Sequence, residues 1–204
     1  MTTIDGPLGD RLAEPARKIA TQTATTFVLL SPDRRVEAAM LPMLAYMADR
    51  LNAERYGYRI SRGDLYARKT GPVVLEMAWL VDGTTSYPGW SDMVRTQDGQ
   101  ATLLRPVDDD YLDELSVATV DTINSTWRTF GHMTADEFRV WAGGPDGLPE
   151  WKPDGIIPLQ AMMEAAGMTP EIAAQCVEEE RFHEGVETTF REANLGLDHG
   201  TLPR

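Results

Sequence analysis

From Val36 the apolar residues Val36, Met40, Met43, Leu44, Met47 and Leu51 recur at steps of three and four, the period of one face of an amphipathic helix. Ser31-Pro32-Asp33 reads as its start and Gly57 as its stop, with Pro42 inside the pattern as a kink or the mark of a later start. Gly71-Pro72 predicts the opening of a second helix, since Val73, Val74, Met77, Leu80 and Val81 follow at helical spacing up to Asp82-Gly83. A third begins at Asp108-Asp109-Asp110, where acidic side chains complement the helix dipole, and buries Leu112, Leu115, Val120, Ile123, Trp127 and Phe130 before Gly131. Thr134 with Glu137 three residues on has capping-box spacing for a short helix that carries Phe138, Val140 and Trp141. Pro158 opens another short helix up to Gly167, and Thr169-Pro170-Glu171 opens a long, sparsely apolar last one to about Ala193.

Between these helices, Tyr58 to Lys69 has a Gly63-Asp64 turn and the anchors Ile60, Leu65 and Tyr66, and Ala101 to Arg105 adds a second short strand pattern. Residues 1–25 hold Gly6, Pro7, Gly9, Pro15 and the polar run Thr21-Gln22-Thr23 without a clear period, so they read as an N-terminal extension outside the core. Residues 194–204 read as a tail. The expected fold is therefore mainly α: one compact helical domain over residues 26–193, of about six helices with a minor two-stranded β element.

Composition narrows the function. The chain has 204 residues and a formal charge of −13, which repels phosphate backbones unless its few cations cluster on one face, so nucleic acid is disfavoured and a cationic partner favoured. A single cysteine, Cys176, permits no internal disulfide and no multi-cysteine zinc site, which fits a reducing compartment. No apolar run is long enough for a membrane span, and Met1 to Ala20 lacks the apolar centre of a secretory signal, so a cytoplasmic location is expected.

The chemistry of catalysis is not found. No phosphate-binding Gly-rich loop occurs, the three histidines His132, His183 and His199 lie far apart, and no serine has a nucleophile-elbow setting. Glu180 and His183 share a helical face at the spacing of di-metal bundles, but the second copy such a site requires is missing. Cys176 stands among Glu178 to Glu180, neighbours that raise a thiol pKa, so a structural thiol is expected. Neither an enzyme nor a cofactor is expected.

Two segments carry more: Met43-Leu44-Ala45-Tyr46-Met47-Ala48-Asp49, and Leu65-Tyr66-Ala67-Arg68-Lys69-Thr70-Gly71-Pro72-Val73, separated by a Tyr56-Gly57 turn. Together with the helix ending in Phe130-Gly131, the following Thr134-Ala135-Asp136-Glu137-Phe138 and Glu150-Trp151, they resemble the Panacea domain of SocA-like antitoxins over roughly residues 36 to 165. Arg139-Val140-Trp141 and a longer Gly/Pro stretch replace the Leu-Thr-His common in that family. The resemblance implies a bacterial or phage antitoxin that neutralises a protein toxin encoded nearby by direct contact, with delivery of the toxin to a protease as a further mode. The motif residues Tyr46, Asp49, Tyr66, Gly71 and Pro72 are expected to be structural. Partner contacts are expected at Trp141 and Trp151, and along an acidic strip of Glu178, Glu179, Glu180, Glu184 and Glu187 on the last helix. The rival is a helix-turn-helix-like DNA-binding regulator, weakened because the candidate recognition helix sets Arg139 against Asp136 and Glu137.

Overall fold

A computed structural model describes the backbone of residues 7–197, with side chains from Glu14 onward except Asp109, Glu184, Glu187, Thr188, Phe190 and those after it. Its first element joins the described part of the expected N-terminal extension to the core, residues 1–6 lying outside the described residues. Helix α1 (Pro7–Leu30) runs through Pro15 and into the core, where every residue from Ile19 to Val28 is buried. Ile19, Ala20, Ala24, Phe27 and Val28 fall at helical spacing, but the threonines and glutamine between them are buried as well, which hides the period behind polar residue types. Two of its threonines tolerate burial by bonding back to their own helix: Thr21 Oγ1 donates to the Arg17 carbonyl at 2.7 Å and Thr26 Oγ1 to the Gln22 carbonyl at 2.8 Å.

Helix α2 (Met40–Tyr56) is the second central element, preceded by strand β1 (Arg35–Glu37), so Val36 belongs to a strand. Pro42 falls in the first turn, where its missing N–H has no helical partner to lose. Met40 to Asp49 are all buried, a wider face than the expected stripe, and Gly57 ends the helix with φ 81°. The segment at Gly71 is likewise not a helix start. Strand β2 (Leu65–Arg68) pairs antiparallel with β3 (Gly71–Val74), and helix α3 (Leu75–Val81) begins only after Val74. Pro72 is accommodated because β3 is an edge strand, where a missing ladder donor is tolerated.

The helix α4 (Pro88–Met93) leads into strands β4 (Val94–Gln97) and β5 (Gln100–Leu103). Asp98 and Gly99 join them with φ 52° and 73°, the left-handed pair that a two-residue hairpin turn requires. A 3-10 turn at Asp109–Leu112 occupies the predicted helix start, and α5 (Val117–Phe130) begins later at Ser116, whose side chain caps Thr119 N–H at 3.1 Å. The predicted capping box opens α6 (Ala135–Ala142), both reciprocal bonds being present. Strand β6 (Gly155–Ile156), α7 (Leu159–Ala165) and α8 (Pro170–Leu197) complete the chain.

The architecture thus corrects the expected one. Among the described residues there are eight α-helices and two three-stranded antiparallel sheets, ordered β1-β5-β4 and β3-β2-β6, in place of about six helices and a two-stranded element. Both sheets are built from strands of two to four residues, too short to show an alternating pattern. The core lies around α2, which packs on α1, α3, α5, α7 and β3.

Candidate partner-binding face

Helix α2 holds two loops in place through the charged and polar residues of its buried face. Asp49 is fully enclosed: its Oδ1 accepts from the backbone N–H groups of Ile60 at 3.0 Å and Ser61 at 2.8 Å, and its Oδ2 accepts from the Ser61 hydroxyl. Burial pushes the Asp49 carboxyl up, opposed by the nearby Arg59 guanidinium and the Ser61 bonds. One turn on, Asn52 Nδ2 donates to the Tyr58 carbonyl at 2.9 Å. On the neighbouring face, Tyr46 donates its hydroxyl to Glu150 Oε1 at 2.8 Å, and Arg50 Nε donates to the same oxygen at 3.1 Å. Burial and Glu150 push the Tyr46 phenol up, which keeps it a donor. Arg50 also bonds the Ala165 carbonyl at the end of α7.

The loop fixed by Asp49 and Asn52 carries the contact to α8. Arg59 donates Nε to Glu180 Oε1 at 2.7 Å and Nη1 to the Gly63 carbonyl at 2.7 Å, an ion pair largely removed from solvent. Beside it, Gly57 faces Cys176, and a Cβ at Gly57 would stand 3.4 Å from the thiol. Burial and Glu179 push the Cys176 thiol up, away from a reactive thiolate. Between this loop, the start of α5 and α8 lies a cleft of about 540 Å³, lined by Tyr58, Arg62, Glu114, Glu179 and His183 among others. Tyr56 and Tyr58, each 45% exposed, stand at this end of α2 with their rings 6.2 Å apart. Phe182, 68% exposed, projects from α8 beside His183.

The predicted contact residues separate. Of the acidic strip, Glu178 and Glu179 are exposed, with Glu178 paired to Arg181 at 2.8 Å and Glu179 accepting from Gln175 at 2.8 Å. Glu180 turns inward to Arg59. The side chains of Glu184 and Glu187 lie outside the described residues. Trp141 is half-buried against Phe130 and Phe138, with ring centroids 4.7 and 5.4 Å away. Trp151, also half-buried, donates Nε1–H to the Arg68 carbonyl at 2.9 Å and so ties its loop to β2.

Tyr66 is half-buried in β2, opposite Val73, and Pro72 is buried beside Gly71 in β3. Gly71 has φ 148°, and a Cβ there would meet Met43 Sδ at 2.9 Å, so both its backbone and its approach to α2 exclude a side chain. The exposed tyrosine pair at the end of α2 is not among the contact residues singled out from the sequence. Its signal was the Tyr-Gly-Tyr run itself, two large aromatics flanking a helix-ending glycine.

Charged side chains here clamp loops and dock a helix, and Tyr56, Tyr58 and Glu179 line the same cleft beside α8. Among the described residues no group of three or more His, Cys, Asp and Glu side chains is disposed to hold a metal ion, and no helix is long and apolar enough to cross a membrane.

The chain belongs to the SocA-like antitoxin family: the family model described as "Antitoxin SocA-like, Panacea domain" matches residues 44–145. The matched stretch runs from α2 through α6 and includes Tyr46, Asp49, Tyr66, Gly71, Pro72 and Trp141, whereas α1, Trp151, α7 and α8 lie outside it. Comparison with curated proteins and with solved structures gives no match.

Proposed function

We propose that this chain is an antitoxin that neutralises a protein toxin encoded nearby by direct contact, working in the cytoplasm without catalysis. The observation that carries the reading is the face formed by α8 and the loop at its foot. Exposed Tyr56, Tyr58 and Phe182 supply the large, stiff aromatic surface on which binding energy concentrates, and Glu178 and Glu179 add acceptors for a cationic partner. The net charge of −13 steers such a partner towards the molecule. Family membership supports the antitoxin role, and the position of α8 outside the matched segment suits a part of the chain that varies with the toxin.

The test is co-expression with the product of the adjacent gene. Growth arrest by that product alone, relieved by this chain and accompanied by a stable purified complex, supports the reading. A harmless neighbour, or rescue without a complex, overturns direct neutralisation. Delivery to a protease is a separate mode of the same complex, recognised by loss of toxin in cells that depends on both this chain and the protease.

A further inference from the structure

A second concavity, of about 310 Å³, lies away from α8 between α2, α5 and the turn after α6. Its apolar floor includes Met47, Leu51, Phe130 and the outward part of Trp141. Two exposed carboxylates, Glu54 and Asp146, stand on its lining, and neither has an ion-pair partner among the described residues. The one cation lining it, Arg50, is already committed to Glu150 and to the Ala165 carbonyl. The hydroxyls of Thr126 and Thr129 are spent on the carbonyls of Thr122 and Ser125 within α5.

We infer that this groove receives an arginine or lysine side chain of a protein partner. The groove offers an aromatic and aliphatic surface beneath free carboxylates, and a long cationic side chain matches both, laying its methylenes on the floor while its charge meets ring and carboxylate. A neutral apolar side chain would gain nothing from the carboxylates, and an acidic one would be repelled. The strongly negative molecule favours the same occupant. The inference gives Trp141 a role that its half-buried position allows: it is the floor of a receptor site, not a projecting anchor. It rests on the antitoxin reading only for the identity of the partner.

The experiment uses the whole chain, labelled to show the indole N–H resonances of its five tryptophans, with the Trp141 signal assigned from Trp141→Phe. The probes are acetyl-arginine amide and, as a control, acetyl-glutamate amide. The arginine probe is expected to move the Trp141 resonance saturably and leave Trp151 in place, the glutamate probe to move neither. The double variant Glu54→Lys with Asp146→Lys, both exposed and so compatible with folding, should weaken the arginine response about tenfold or more. No response at Trp141, an equal response to both probes, or a response unchanged in the double variant overturns the inference. Because no toxin is used, failure here leaves the antitoxin reading untouched, and failure of co-expression leaves the groove untouched.

Discussion

At the scale of single residues, the family-motif carboxylate Asp49 serves to close a loop. It accepts two backbone N–H groups that have no other route out of the core, so Asp49→Ala should destabilise the fold by about 3 kcal/mol in urea denaturation, whereas Asp49→Asn keeps an acceptor for them and should lose about 1 kcal/mol or less. The pH dependence has a definite sign. Burial raises the folded carboxyl above its unfolded value, so the native state favours the proton. Stability relative to Asp49→Asn is therefore greatest below the ordinary carboxylate range and falls as pH rises through the raised value; a difference that grows with pH contradicts this assignment. Gly71→Ala meets two obstacles, a left-handed backbone and Met43, and should lower the melting temperature by several degrees. The motif residues were visible in the sequence, but their partners were not, because Asp49 to Ser61 and Tyr46 to Glu150 are pairings that only the folded chain brings together.

At the scale of elements, α1 decides how much of the chain is the domain. A chain beginning at residue 26 loses Ile19, Ala20 and Ala24 from the core and should show no cooperative thermal transition; a transition like that of the full chain would mean α1 is dispensable. This helix escaped detection because its Gly and Pro residues and polar Thr-Gln-Thr run read as loop, whereas in the fold Thr21 and Thr26 bond their own helix and Gln22 bonds Asp113 and the Glu114 N–H. Helix ends with local signals were legible, as Thr134-Glu137 and Gly57 illustrate. The hairpin at Asp98-Gly99 carried a usable turn signal, but its flanking strands of four residues gave too little alternation to support it. At Gly71-Pro72 two rules competed, and the edge position of β3, a tertiary fact, decided for the strand. For α8, Arg59 is the main polar fastening. Arg59→Ala should speed amide hydrogen exchange over residues 170–183 by about tenfold or more while α2 and α5 remain protected, and uniform exchange across the molecule would show a global defect instead.

At the scale of the whole molecule, the distribution of charge organises the account. Three ion pairs largely removed from solvent are structural: Arg59 with Glu180 holds α8, Arg50 with Glu150 holds the loop before β6, and Arg17 with Glu76 joins α1 to α3. On the surface, Tyr56, Tyr58 and Phe182 stand exposed, and Glu178 and Glu179 bond neighbours on their own helix. Of the residues expected to make contact, Glu178 and Glu179 are exposed and bond within α8, whereas Glu180 and Trp151 are half-buried and bond Arg59 and the Arg68 carbonyl across the fold. Binding led by such a surface weakens with salt, since exposed charges are screened over about 10 Å at 0.1 M. The most direct measurement is hydrogen exchange on the chain alone and in complex with the product of the neighbouring gene. The account predicts that protection on binding concentrates in residues 56–62 and along α8. Protection confined to the β1-β5-β4 sheet, with both of those segments unchanged, would contradict it.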